Sequence, residues 1–158
     1  MLQLRGLDEP LKLTDTPAGI VGYELAWSTP RAQAMIDTWK QNDAIEAAKV
    51  SLGVDFVFLL AYPLMFFTGA RLLVRAGSQA TFDRLGALLS RAVLACIPLD
   101  GTENLLLWHQ LDAGAGDIAA HGAAMCASIK FLLVIVTALW CLAAIGRRFT
   151  SSSPSSHS

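Results

Sequence analysis

Lys130–Gly146 reads KFLLVIVTALWCLAAIG, with no charge after its first residue. It continues the apolar stretch Ile118–Gly146 (IAAHGAAMCASIKFLLVIVTALWCLAAIG), in which Lys130 is the one firm charge. A hydrocarbon layer about 30 Å thick is crossed by roughly 20 helical residues, so this stretch is long enough to span a bilayer. Two weaker stretches precede it. Val50–Val74 reads VSLGVDFVFLLAYPLMFFTGARLLV and Gly86–His109 reads GALLSRAVLACIPLDGTENLLLWH. Each holds internal charges and one proline, Pro63 or Pro98, which membrane helices tolerate with a kink. The composition agrees: 54% of the 158 residues are hydrophobic, and mean hydropathy is +0.48. No alternating strand pattern is present.

The expected fold class is therefore all-α: an integral membrane helical bundle with three transmembrane helices and a short amphipathic N-terminal region. Three segments follow: an interfacial or extracytoplasmic segment 1–49, a transmembrane bundle 50–148 and a disordered tail 149–158. The tail, FTSSSPSSHS, is low-complexity. Within 1–49, GIVGYELAWS (Gly19–Ser28) is too short to span. Thr29-Pro30 is a helix-start signal for an amphipathic helix Arg31–Gln41, with Ala34, Met35, Ile36 and Trp39 among polar residues. Asp43-x-x-Glu46 resembles a capping box that would start the first span. Trp27 and Trp39 suit a segment lying at the membrane surface, and a small folded cap on the bundle is the alternative.

Net charge is −1, with no basic run and no glycine-rich phosphate loop, so nucleic acid is not an expected partner. Membrane lipids are, together with a second copy or a larger membrane complex. Met1–Asp15 lacks the apolar core of a secretory signal. Arg71, Arg75 and Arg84 flank the first loop, and Arg147 and Arg148 follow the third span, whereas Gln110–Asp117 has no Lys or Arg. Positive residues stay in the cytoplasm, so the expected location is the inner (plasma) membrane, with the N-terminal region outside and the C-terminus cytoplasmic. Translocating 1–49 without a signal is awkward, and a missing upstream span would resolve it.

Charged groups inside a bilayer are costly and turn toward one another. Asp55 on the first span, Asp100, Glu103 and Asn104 on the second, and Lys130 on the third fall at similar depth in the outer half of the membrane. Asp100, Glu103 and Asn104 are spaced i, i+3, i+4 and share one face. Asp55, Leu59, Tyr62 and Phe66 form a stripe on the first span. On the third, Ala119, Ala123, Cys126, Ala127, Lys130, Thr137, Cys141 and Ala144 form a face of mainly small residues, which lets helices approach closely. Lys130 is expected to pair with Asp100 or Glu103, with Asp55 and Tyr62 nearby.

Two readings follow. In the first, which ranks ahead, the cluster is glue fixing helix register in a structural or accessory protein, which would associate through the small-residue face of span three. In the second, it is a site for a proton, a cation or a small polar ligand in a small transporter or binding protein. Three carboxylates against one lysine leave excess negative charge to neutralise. No catalytic residue, metal site or cofactor is expected. His109 lies about 180° from Asp100, and His121 about 180° from Lys130, on ideal helices. There is no HExxH, and Cys96, Cys126 and Cys141 show no ligand spacing. For hydrolysis, Cys96 one turn before Asp100 is the only nucleophile–base pair to consider. Trp108 and Trp140 have the placement of an aromatic belt.

Several motifs in order, G-I-V-G-Y-E-L-A (Gly19–Ala26), a tryptophan helix ending near Trp39, D-F-V-F-L-L-A-Y (Asp55–Tyr62), L-D-G-T-E-N (Leu99–Asn104) and a lysine in the last span, resemble a family of small bacterial multi-span membrane proteins without an assigned activity. The resemblance covers roughly Ala18 to Gly146. It implies a membrane helical fold, four spans in typical members against three here, and weight on Asp55, Tyr62, Asp100, Glu103, Asn104 and Glu24. It implies no reaction.

Overall fold

The computed structural model describes residues 8–75 and 80–151. Among these the chain is all-α, with no strand beyond an isolated Leu13–Thr16 bridge. After a 3-10 turn at Glu9–Leu11 come α1 (Gly19–Glu24), α2 (Thr29–Gln41), α3 (Ile45–Arg75), α4 (Ala80–Ala92), a second 3-10 turn (Val93–Ala95), α5 (Cys96–Ala113) and α6 (Asp117–Ser151). Three helical stretches are long and apolar enough to cross a membrane: Ile45–Val74, Ala80–Ala113 and Asp117–Phe149. All three extend beyond the stretches expected at 50–74, 86–109 and 118–146. Of the tail expected at 149–158, residues 149–151 belong to α6 and 152–158 lie outside the described residues. Arg5 of the N-terminal stretch lies outside them as well.

The two prolines act differently. Pro63 sits inside α3 without ending it. Before Pro98 the second span tightens into the 3-10 turn at Val93–Ala95. Proline brings no N–H to the carbonyl four residues back and its ring crowds that carbonyl, so α4 and α5 meet at a break instead of one regular helix.

Asp43 does not cap α3. It lies at φ +54, just past the end of α2, and α3 starts two residues later. The Ala44 N–H donates to the Trp39 carbonyl (2.8 Å) and the Asp43 N–H to the Lys40 carbonyl (3.4 Å). This is the paired closure of a Schellman motif, in which a left-handed residue satisfies the last carbonyls of the helix it follows. Ala44 and Trp39, both buried, supply the apolar contact that accompanies it.

The chain divides into two compact units. One comprises the described residues up to Leu60 together with Ile97–Ile129, and the other Ala61–Cys96 with the described residues from Lys130 on. α3 and α6 each contribute to both. The core of the first unit joins Leu11, Tyr23, Met35, Ile36 and Trp39 to Leu52, Leu107, Leu111, Ala120 and Ala123. Trp39 packs edge-on to Tyr23, with ring centroids 5.2 Å apart, and its indole N–H donates to the Leu11 carbonyl (3.1 Å). The Thr16 hydroxyl donates to the same carbonyl (2.7 Å). Trp39, expected as one of two surface tryptophans, is thus fully buried, whereas Trp27 is half exposed.

The second unit centres on Ala70, Leu89, Trp140 and Ala144. Trp140 is buried and stacks on Phe82 (centroids 5.1 Å apart, planes 25°), and its indole N–H donates to the Phe82 carbonyl (3.2 Å). The expected belt position is therefore a packed core position, made by α4 folding back over α6. Gly86 is what admits the indole: a Cβ there would lie 2.0 Å from Trp140 Cζ2.

Candidate functional site

α5 carries the polar constellation on one face. At 100° per residue, Asp100, Glu103, Asn104, Leu107, Gln110 and Leu111 all fall within a sector of about 120°. Every one of them is buried, with Asp100 at 3%, Glu103 and Asn104 at 0% and Gln110 at 1% exposure. The opposite side, including Leu105 and His109, is exposed. Sequence spacing placed the first three on this face. Gln110 lies beyond the stretch Gly86–His109 expected to span, but α5 continues to Ala113 and the side chain is buried.

α1 and α3 close over this face within the first unit. The Tyr23 hydroxyl donates to the Leu107 carbonyl (3.3 Å), which brings the end of α1 against α5. Burial holds the Tyr23 phenol protonated well above its ordinary range. The next residue, Glu24, is buried and joins Asp100 and Glu103 as a third buried carboxyl. On α3, Asp55, Leu59, Tyr62 and Phe66 are half-buried while Phe56, Val57, Phe58 and Leu60 between them are exposed, so the predicted stripe is the packed side of that helix. A Cβ on Gly101 would meet Leu59 Cδ1 at 3.4 Å, which shows how closely α3 passes α5 beside Asp100. Farther out, Lys49 on α3 pairs with Asp112 on α5 at 2.8 Å, partly solvated.

Asp55, Asp100, Glu103 and Asn104 thus belong to the first unit, and Tyr62 and Lys130 to the second. Lys130 is buried there, with its ammonium 5.1 Å from the centroid of the Phe131 ring, and the Cys96 thiol contacts its carbonyl at 3.8 Å. Glu24, Asp55, Tyr62, Asp100, Glu103 and Lys130 all take part in polar or electrostatic interactions. Asn104 stands apart. Its Nδ2 and Oδ1 are both buried and have no hydrogen-bond partner among the described residues, and the same is true of Gln110 Oε1. A buried unsatisfied amide atom costs about 1–3 kcal/mol, so two such side chains on one helix face demand a reason.

The small-residue face of α6 is used inside the chain: Ala119, Ala123, Ala127, Thr137 and Ala144 are buried, and Ala123 lies in the first core. Cys126 and Cys141, expected on that face, are half-buried. His121 is exposed and held by the Asp117 carbonyl (2.8 Å). Among the described residues, no three His, Cys, Asp or Glu side chains converge as a set that could hold a metal ion. Sequence reasoning missed Gln110 as a site residue and gave Glu24 only through the motif that contains it.

The chain matches no protein-family model, no curated protein and no solved structure.

Proposed function

We propose that this chain is a small multi-span membrane protein that takes up a proton or a small cation at the acid–amide group of Glu24, Asp100, Glu103 and Asn104. The observation that carries the reading is the unsatisfied amide of Asn104, fully buried one helical turn from Asp100 and adjacent to Glu103. Glue in a helix interface works because polar groups satisfy one another, and a half-satisfied network is worse than an apolar one. An amide left open on both its donor and its acceptor fits a site that is completed by something else.

Charge bookkeeping supports the same reading. Among the described residues the buried carboxyls are Glu24, Asp100 and Glu103, and the one buried ammonium is Lys130. Buried charge is costly unless it is compensated, and more buried carboxyls than ammoniums fits a site completed by a proton or a cation. The structural reading joins that glue to an association of α6 with a partner through its small-residue face. That face is occupied by the chain itself, which weakens it. The proposed setting remains the inner membrane, with the N-terminal region outside and lipid around the exposed apolar sides of the three spans.

Infrared difference spectroscopy on the full chain in lipid nanodiscs tests the proposal. Between about pH 4 and about pH 9, a buried protonated carboxyl band should appear and vanish, or shift on adding sodium or potassium. Glu103→Gln should remove that band while the helical circular dichroism is kept. A wild-type spectrum with no buried carboxyl responding to either pH or cation would overturn the proposal.

A further inference from the structure

The acid–amide reading leaves open whether the ligand is a proton or a metal cation, and how it would arrive. Asn104 and Gln110 bear on both questions, and the inference that follows rests on that reading.

The needs of the two amides are specific. Asn104 requires a partner that accepts from Nδ2–H and donates to Oδ1. An alkali cation would satisfy Oδ1 and be repelled by the NH₂ group. Water does both, and it is the smallest molecule that does. Gln110 spends its Nε2–H on the Leu106 carbonyl (3.3 Å), which leaves Oε1 in need of a donor. Water again fits and a neighbouring carboxylate does not. The two amides lie at the two edges of the buried sector of α5, six residues or about 9 Å apart along the axis and about 120° apart around it, with Leu107 between them. Asn104 adjoins Glu103. Gln110 lies within a turn of the end of α5, near the level at which Asp112, 52% exposed and on another side of the helix, pairs with Lys49. Glu103 and Gln110, seven residues apart, lie within about 20° of one another and about 10 Å apart along the axis, so Gln110 stands on the side of Glu103, toward the solvated end of the helix.

We propose that Asn104 and Gln110 are the stations of a narrow hydrated track along the buried face of α5, through which protons reach Glu103 from the Lys49–Asp112 end. A proton entering at that end is passed from water to water. Each water gains one O–H bond and gives one up, so the chain of waters is unchanged. The last transfer forms an O–H bond on the Glu103 carboxylate and neutralises it. The ligand is a proton, and Gln110 is a positioning residue that never bonds to the carboxyl itself.

Two measurements on the full chain in nanodiscs test the track. The first is the rate at which the Glu103 carboxyl band shifts after transfer to D₂O at constant pH. Gln110→Leu, close in volume but unable to hold water, should slow that exchange by roughly tenfold or more, the cost of carrying a proton past a missing hydrogen-bond station. Gln110→Ala, which leaves space a water can fill, should stay within about twofold of wild type. Equal rates in Gln110→Leu and wild type would overturn the track, and so would Gln110→Ala slowed as much as Gln110→Leu.

The second measurement needs no variant. Hydroxyl-radical footprinting oxidises side chains that touch bound water. Leu107, buried between the stations, should be labelled, while Leu52, equally buried in the same unit, should not. Leu107 left unlabelled would overturn the track even if Gln110→Leu failed to fold. Absence of any titrating carboxyl band, with Leu107 labelled, would instead sink the acid-site reading and leave the hydrated face standing.

Discussion

Gly86→Ala should destabilise the second unit, because the space for one methyl group is already filled by an indole. A Cβ at Gly86 would lie 2.0, 2.3 and 2.6 Å from three ring carbons of Trp140. Carbon atoms rest about 3.5–4.0 Å apart, so the ring or α4 must move by about 1.5 Å. Trp140 has little freedom to do so. It is stacked on Phe82, hydrogen-bonded to the Phe82 carbonyl, and Phe82 in turn lies under the Arg147 guanidinium at 4.4 Å. Sliding the indole forfeits the ring pair, about 0.5–1.5 kcal/mol, and the hydrogen bond, about 0.5–1.5 kcal/mol. Holding it in place instead strains the helices by about 1–3 kcal/mol. Alanine recovers up to about 1 kcal/mol of helix propensity. The net expectation is a destabilisation of about 1–2 kcal/mol. Gly53 and Gly69 have nothing within 4 Å of an added Cβ, so Gly53→Ala and Gly69→Ala keep the propensity gain without the clash. Unfolding of the three variants in one detergent measures the difference, and near-ultraviolet circular dichroism reports the aromatic stack. A Gly86→Ala protein as stable as Gly69→Ala, with its aromatic signal intact, would refute the packing described for the second unit.

Three further outcomes follow from the first unit. Asp43→Gly should stabilise by about 0.5–1 kcal/mol in chemical unfolding, because the left-handed backbone at φ +54 strains a residue with a Cβ, whereas Asp43→Ala should not. Tyr23→Phe should cost about 1 kcal/mol through the lost hydrogen bond to Leu107. Burial raises the Tyr23 phenol, so above about pH 10 the unfolded chain releases a proton that the native state keeps. Stability contributed by this group is therefore complete below that pH and falls as pH rises beyond it, and Tyr23→Phe should lose that part of the alkaline decline when unfolding is compared at about pH 9 and about pH 11. Asn104→Leu, of similar volume but with no amide, should keep the helical circular dichroism while abolishing the carboxyl response in the infrared spectrum. A carboxyl response unchanged in Asn104→Leu would take the amide out of the site.

The spans and the shared face of Asp100, Glu103 and Asn104 were legible because both rest on local rules. Helical rise converts length into membrane thickness, and three-and-four spacing converts sequence into direction. The half-buried stripe Asp55, Leu59, Tyr62 and Phe66 and the small-residue face of α6 follow from the same periodicity. What escaped was decided by groups distant in sequence. The Leu11 carbonyl takes donors from both Thr16 and Trp39, and that long-range bond draws Trp39 into a core instead of leaving it at a surface. Trp140 lies in a core because α4 returns over α6 with Gly86 facing it. Asp43 carries the residue type of an N-cap, and its backbone serves the preceding helix; the two roles differ by one residue of register.

Gln110 escaped for a different reason. The rule that exposes intramembrane sites looks for charge, because an ion in hydrocarbon is costly enough to need an explanation on its own. A neutral amide is cheaper by a wide margin and passes unnoticed beside aspartates and a lysine. Its cost becomes visible only when coordinates show that Oε1 is buried and unsatisfied, on the sector already holding Glu103 and Asn104. In the proposed reading the charged groups on α5 are where a proton would be stored, and the amides are the way to it. A carboxyl sealed in a dry core exchanges slowly, so in that reading the rate at which a proton arrives depends on the residues that carry no charge.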